Sequence, residues 1–175
     1  MTAMSCRAYP ENAPMTELRT GELFAVMALR FWAAAYKDPA ESRFRWQAGF
    51  EAADISDEGA TAFNAIFLIV AASAQRPLDV RCPKCLSLGD DEATFLHMLS
   101  LLQRDCVTGA ELVMMTWVPL AAARTALPFI ISLAQAMAER GLRIPQRPTE
   151  EALKHRFTHQ GVRIHDSGAA MAMIH

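Results

Sequence analysis

Residues 56–75 read SDEGATAFNAIFLIVAASAQ, and this stretch decides the fold class. It begins with Ser56, a residue type that caps helix N-termini, and continues with two acids, which the helix dipole favours there. The polar residues that follow form a single strip, whereas the large apolar ones recur at helical spacing, namely Phe63, Ile66, Phe67, Ile69 and Val70. The pattern predicts an almost fully buried helix, as in the core of a helical bundle.

The composition of the whole chain agrees with a helical fold. Its 175 residues include 31 Ala, 17 Leu and 10 Met, against 7 Val and 8 Ile. Helices favour the first group of residue types and sheets the second. An apolar share of 52% with a net charge of only -2 excludes a disordered chain. We therefore predict an all-α protein, a compact orthogonal or irregular bundle of about six to seven helices without a significant β-sheet.

Caps, prolines and glycines divide the chain into these helices. We expect a single helical domain over residues 15–160, a poorly ordered N-terminal segment over 1–14 and a tail over 161–175. The expected helices run from Met15 or Thr20 to Tyr36, from the cap Asp38-Pro39 to Ala53, from Ser56 to Gln75, from Asp90 to Asp105, from the cap Thr108 to Val118, from Pro119 to Arg140 with a kink at Pro128 and a stop at Gly141, and from Glu150 to His159.

The net charge and the hydropathy of the chain argue against several classes of binding partner. With 17 Lys and Arg against 19 Asp and Glu, the chain has no basic excess for binding nucleic acid. Residues 1–14 lack the pattern of a secretory signal, so we expect a cytoplasmic protein with reduced thiols. The apolar run 59–74 is shorter than the roughly 20 residues of a membrane span, and 112–138 contains Arg124 and two prolines. We expect both runs to be core helices and no membrane partner.

The sequence Arg81-Cys82-Pro83-Lys84-Cys85 is the most distinctive local motif. Two thiols spaced C-x2-C around a proline can lie on one side of a tight turn, which is the geometry of a zinc knuckle. Cys82 and Cys85 are therefore the candidate metal ligands, and zinc is the cofactor they would hold. A closed zinc site needs four ligands, which two copies of this motif across a dimer axis would provide.

Other ligands within the chain are weaker candidates. His97 is the nearest histidine and a weaker third candidate, but it is expected on the polar face of its helix. Cys106 is separated from the loop by a helix of about 15 residues, roughly 22 Å. The simplest interpretation of Cys82 and Cys85 remains that they are reduced, unligated side chains packed under a loop. A thioredoxin-like redox pair is disfavoured because no βαβ pattern surrounds it.

The sequence contains no recognisable catalytic motif, which favours a protein that is not an enzyme. Glu151, His155 and His159 share one helical face, but the residue after His155 is arginine and not the glutamate of a zinc protease. Gly-rich phosphate loops and a nucleophile elbow are also missing. Most of the carboxylates stand at helix starts, where capping accounts for them.

Three functions remain open at this point. The helices predicted near residues 20–36 and 56–75 have such narrow polar strips that a subunit partner would cover them, which favours a homodimer. The leading hypothesis is a non-enzymatic interaction or regulatory module acting as that homodimer. The alternatives are a small zinc-binding protein that uses Cys82 and Cys85, and an enzyme or binder with an apolar pocket between helices.

Overall fold

The computed structural model describes residues 8–39 and 45–147. Within these residues the protein is all-α, as predicted, with six α-helices and no strand. A single 3-10 turn at Met15–Glu17 precedes the helices α1 (Thr20–Lys37), α2 (Trp46–Ala52), α3 (Asp57–Ser73), α4 (Asp90–Leu102), α5 (Val107–Met114) and α6 (Leu120–Glu139). The small helix predicted over 150–159 and the tail lie outside the described residues.

Helices α3 and α6 form the most extensive helix pair, and α4 packs against α1, α5 and α6. Close approach of α3 to α6 depends on Gly59, because a Cβ there would lie 3.0 Å from the Cβ of Ala136. A continuous aromatic cluster fills the space between α2, α3 and α4, with neighbouring ring centroids 5.0 to 5.6 Å apart. Its members are Trp46, Phe50, Phe63, Phe67 and Phe95.

Two of the predicted helix boundaries are confirmed by their caps. The hydroxyl of Ser56 accepts a hydrogen bond from the amide of Gly59 at 3.3 Å and starts α3. Gly141 follows α6 with φ 73°, a left-handed conformation in which glycine carries no steric penalty. Pro128 lies inside α6, which continues as one helix from Leu120 to Glu139.

Four other predicted boundaries are wrong. Asp38 ends α1 instead of starting α2, because its amide donates to the carbonyl of Ala34, and α2 begins only at Trp46. Helix α4 stops at Leu102, and Asp105 reverses the chain with φ 58°. Helix α5 therefore begins at Val107, before the predicted cap, and already ends at Met114.

The core extends to residues before the predicted start of the domain. Tyr9 and Ala13 are buried, and Pro14 forms an isolated bridge with Ser87. At the other end, Ile144 is buried after α6. Non-helical segments before α1 and after α6 therefore contribute side chains to the core within the described residues.

Helix α6 is long and apolar enough, by length and composition, to cross a membrane. A core helix of a soluble protein passes the same test, and α6 packs against α3, α4 and α5. Its buried side chains include Ile130, Leu133 and Met137.

Candidate functional site

The loop between α3 and α4 contains both candidate thiols. Residues 74–89 form no helix, as the sequence predicted for 76–89, and they pair instead with the segment before α1. The amide of Met15 donates to the carbonyl of Leu86, and the amide of Leu88 donates to the carbonyl of Ala13, each at 2.8 Å. The second half of the loop is therefore fixed on one side by backbone hydrogen bonds.

Arg30 on α1 holds the loop from the other side. Its guanidinium is fully buried and donates to the carbonyl of Cys85 at 2.6 Å and to the carbonyl of Ser87 at 2.8 Å. The same guanidinium forms a bidentate pair with the carboxylate of Glu92, through Nε at 2.7 Å and Nη2 at 2.8 Å. Each of these donors is charge-assisted, which makes the hydrogen bonds strong and directional.

Glu92 completes this arrangement from the first turn of α4. Besides Arg30, its carboxylate accepts hydrogen bonds from the amide of Arg81 at 3.0 Å and from the amide of Gly89 at 2.7 Å. The loop closes tightly at Gly89, where a Cβ would lie 2.5 Å from the carbonyl oxygen of Asp79. One buried ion pair thus binds the backbone on both sides of the two cysteines.

Asp91 stabilises the beginning of the same loop. Its carboxylate pairs with the guanidinium of Arg76 at 2.7 and 2.8 Å and accepts from the amide of Asp79 at 2.6 Å. The indole Nε1 of Trp117 donates to it at 2.7 Å. Burial raises the pKa of the Asp91 carboxyl, but these hydrogen bonds outweigh burial and hold its pKa below the usual range.

Cys82 and Cys85 face each other across a tight turn. The amide of Cys85 donates to the carbonyl of Cys82 at 3.0 Å, and the two sulfurs lie 2.7 Å apart. Cys82 is exposed and Cys85 is partly exposed. The interpretation as a side chain packed under a loop is therefore wrong for Cys82, whereas Cys85 is partly covered.

The turn favours a thiolate at Cys82. A hydrogen bond from Cys85 and the backbone N–H groups of Lys84 and Cys85 lower the pKa of the Cys82 thiol. The same hydrogen bond raises the pKa of the Cys85 thiol, and partial burial adds to this effect. The pair therefore ionises in two steps, with Cys82 first.

Two thiols on one turn suit a cation that prefers sulfur ligands. The turn supplies fewer ligands than a closed metal site needs. Zinc bound tetrahedrally at a Zn–S distance of about 2.3 Å requires sulfurs about 3.8 Å apart. The sulfurs lie 2.7 Å apart, so the exposed Cys82 side chain would have to rotate away from Cys85 to bind zinc. Within residues 8–39 and 45–147, no group of three or more His, Cys, Asp and Glu side chains could hold a metal ion.

His97 does not join the cysteines. It is half-buried, which contradicts the expected exposed position, and it lines a cleft of about 590 Å³ between α4 and α5. Burial lowers the pKa of its imidazole, which is neutral at pH 7. Leu101, Leu112 and Val113 contribute to the largely apolar walls of this cleft.

The remaining candidates lie away from the loop or outside the described residues. Cys106 is exposed at the start of α5, where it serves as the N-terminal cap residue. Glu151, His155 and His159 belong to the part of the chain that the structure leaves undescribed.

Sequence reasoning missed the residues that position the loop. By local pattern Arg30 is a lone charge in the apolar middle of a helix, and Asp91 and Glu92 are acids at a helix start, yet all three are buried. Arg30 and Glu92 are 62 positions apart, so no local pattern joins them. The one available signal was the run of three acids at residues 90–92, more than a helix N-terminus requires.

Comparisons of this chain with known protein families, with curated proteins and with solved structures find no match.

Proposed function

We propose that this protein is a non-enzymatic interaction or regulatory module whose functional element is the loop from Cys82 to Leu86, and that the two thiols of this loop hold a zinc ion. The observation that carries the proposal is the buried guanidinium of Arg30, which donates to the carbonyl of Cys85 and to Glu92 together. We expect the module to act in the cytoplasm, where thiols stay reduced and available to metal.

The energetics of the buried Arg30–Glu92 pair support a role in positioning the cysteine loop. Burying a charged pair costs several kcal/mol per ion in desolvation, and well-packed apolar residues of similar size often stabilise a fold equally well. Arg30 and Glu92 are each fully buried, and together they bind the backbone at Cys85, Ser87, Arg81 and Gly89. A pair placed in this way fixes the conformation of the cysteine turn, which apolar side chains would not do.

The chemistry of the turn favours metal over disulfide exchange. Many redox-active C-x-x-C pairs use a helix N-terminus to activate their first thiol, whereas α4 begins at Asp90, five residues beyond Cys85. Here the hydrogen bond from Cys85 and the backbone N–H groups of the turn lower the pKa of the Cys82 thiol. Thiolates stabilised in this way are soft ligands for zinc.

Zinc titration of the reduced full-length chain tests this function. Zinc chloride is added in competition with a chromogenic chelator, and cobalt is used in parallel because its thiolate charge-transfer bands report on sulfur ligands. The wild type is expected to withdraw zinc from the chelator, and a Cys82→Ser/Cys85→Ser variant is expected to lose this ability. Cys106→Ser is the matched control, since it removes an exposed thiol elsewhere on the protein, and it should bind as the wild type does.

The proposal would be overturned if the wild type bound neither zinc nor cobalt while both loop thiols reacted freely with a thiol reagent. Equal zinc binding by the wild type and the double variant would also reject it, because the ligands would then lie elsewhere.

The cleft beside His97 supports a second candidate function, the binding of a small apolar molecule. Its volume of about 590 Å³ lies within the range of ligand pockets. The neutral imidazole offers the ligand one hydrogen-bonding group.

An apolar fluorescent dye, anilinonaphthalene sulfonate, provides the test of this second function. Val113→Trp fills the cleft and should abolish dye binding, whereas Leu68→Trp changes an exposed leucine on α3 and should not. Identical dye binding by both variants would reject the cleft as a binding site.

A further inference from the structure

We infer that a second copy of this chain completes the zinc site, so that two Cys82–Cys85 turns face each other and supply four thiolates to one ion. This inference rests on the proposed zinc-binding function. It identifies the partner as a second copy of the chain and places the dimer contact at the tip of the cysteine loop.

The number of ligands is the first argument. A closed zinc site takes four protein ligands, and the cysteine turn supplies two. No third His, Cys, Asp or Glu joins them within residues 8–39 and 45–147. Two-fold symmetry doubles every residue at its axis, so a single two-ligand motif placed there gives a complete tetrahedral set.

The surface around the thiols is the second argument. Leu86 directly follows Cys85 and is 83% exposed, the highest exposure among the large apolar side chains that the structure describes. Cys82 and Lys84 are exposed beside it. A second turn placed across the metal would bring the two Leu86 side chains of the pair toward a shared, buried contact.

Charge is the third argument. The Lys84 ammonium forms no ion pair within the part of the chain that the structure describes. Four thiolates around one zinc ion carry two excess negative charges, and the two Lys84 side chains of a symmetric pair balance them. In one copy alone, two thiolates would neutralise the zinc and leave Lys84 as an uncompensated charge next to it.

The rigidity of the loop makes such a contact feasible. Arg30 and Glu92 hold the backbone on both sides of the turn, and Met15 and Ala13 hold residues 86 and 88. Little conformational entropy is therefore lost when two turns meet, which is the cost that weakens contacts between mobile loops.

The test measures zinc content and molecular mass on the same samples of reduced full-length protein. Zinc chloride is titrated into the metal-free chain, and mass is followed by light scattering and by native mass spectrometry. We expect one zinc per two chains and a doubling of mass that follows zinc occupancy. A chelator should reverse the doubling, and Cys82→Ser/Cys85→Ser should abolish it.

A second variant tests the contact without touching a ligand. Leu86→Gln should weaken zinc-linked dimerisation by about tenfold or more, because it removes a buried apolar contact from each chain. The matched control Leu68→Gln, on the exposed face of α3, should dimerise as the wild type does. Equal dimerisation by these two variants would overturn the proposed contact at Leu86.

The stoichiometry separates failure of this inference from failure of the zinc site. One zinc per chain with the mass of a monomer would overturn the shared site and leave the zinc-binding function standing, with the missing ligands supplied by the same chain. A dimer that persists without zinc and with both cysteines replaced would overturn the shared site as well. Absence of zinc binding would overturn both proposals.

Discussion

Helix α4 serves two regions of the molecule that are held together by opposite kinds of interaction. Its second turn inserts Phe95 into the aromatic cluster, where ring packing is the dominant contact. Its first turn presents Asp91 and Glu92 to the cysteine loop, where charged hydrogen bonds replace apolar packing. The comparison teaches that a segment with exposed thiols and an exposed leucine can be anchored through its backbone by buried charges, without apolar packing of its own side chains.

Replacing Arg30 should have the largest effect, because this residue anchors the cysteine loop. Arg30→Met leaves the carboxylate of Glu92 buried without its cation, and we expect a loss of about 3 to 5 kcal/mol in the free energy of unfolding. Zinc affinity should fall as well, because the turn at Cys85 loses its anchor. Denaturant unfolding and zinc titration measure the two effects.

A double variant separates the charge penalty from the positional role. Arg30→Met/Glu92→Met should recover much of the lost stability, because no unpaired charge remains, but it should not recover the zinc affinity. Full recovery of both would show that the pair does not position the loop.

The matching substitution in the hydrophobic core is Leu99→Ala on α4. Leu99 is fully buried, and removal of its side chain leaves a cavity worth about 3 kcal/mol. Below the unfolding transition, the alkylation rate of Cys82 should match that of the wild type, because no anchor of the loop is altered. A changed alkylation rate in the folded variant would mean that the two regions are coupled.

Asp91→Asn should have a smaller effect, with a specific dependence on pH. Its carboxylate is buried and accepts from Trp117 and from the amide of Asp79, so we expect a loss of about 2 kcal/mol at pH 7. The half-exposed Arg76 adds little, because solvent screens its charge.

The sign of the pH effect follows from the lowered pKa of Asp91. Its ionised form stabilises the fold above the unfolded pKa of about 3.9, and this contribution is lost as the pH falls through the lower pKa of the folded state. The free energy of unfolding of Asp91→Asn should therefore fall less steeply below about pH 4 than that of the wild type. Parallel curves for the two proteins would contradict this assignment.

The smallest effect on stability is expected at the thiols themselves. Without metal, Cys82→Ser/Cys85→Ser should change the free energy of unfolding by no more than about 0.5 kcal/mol, because the replaced side chains are partly or fully exposed. With zinc added, only the wild type should gain thermal stability. A large loss in the metal-free variant would place the cysteines in the structural core instead of at a binding site.

The parts of the fold that local chemistry controls could be predicted from the sequence. Ser56 and Gly141 fixed their helix ends because a cap and a left-handed glycine act on adjacent residues. Asp38-Pro39 has the sequence of a helix start, yet the amide of Asp38 closes α1, and Arg45, directly before α2, is extended. The helix that reaches Ala52 starts only after Arg45, and residues 40–44 lie outside the described part of the chain.

Of the candidate site, only the spacing of its two cysteines along the chain could be predicted from the sequence. The C-P-K-C sequence was sufficient to place Cys82 and Cys85 on one side of a turn. The anchors of that turn come from α1 and α4, and each of them looks locally like an ordinary surface charge of a helix. Long-range pairing of opposite charges leaves no periodicity in the sequence, which is why Arg30 and Glu92 were recognised only in the folded structure.

Glu22 brings together the two ends of the described chain. Its buried carboxylate accepts from the Tyr9 hydroxyl at 2.6 Å and from Nε of Arg147 at 2.9 Å, and the Arg147 guanidinium lies 4.8 Å above the ring of Tyr9. Because Glu22 lies on the first turn of α1, a tensile load applied through residues 9 and 147 would bear on these side-chain bonds before it bore on the backbone hydrogen bonds of the helices. Under force, these side-chain bonds would yield first, and the helices would unravel only after they had opened.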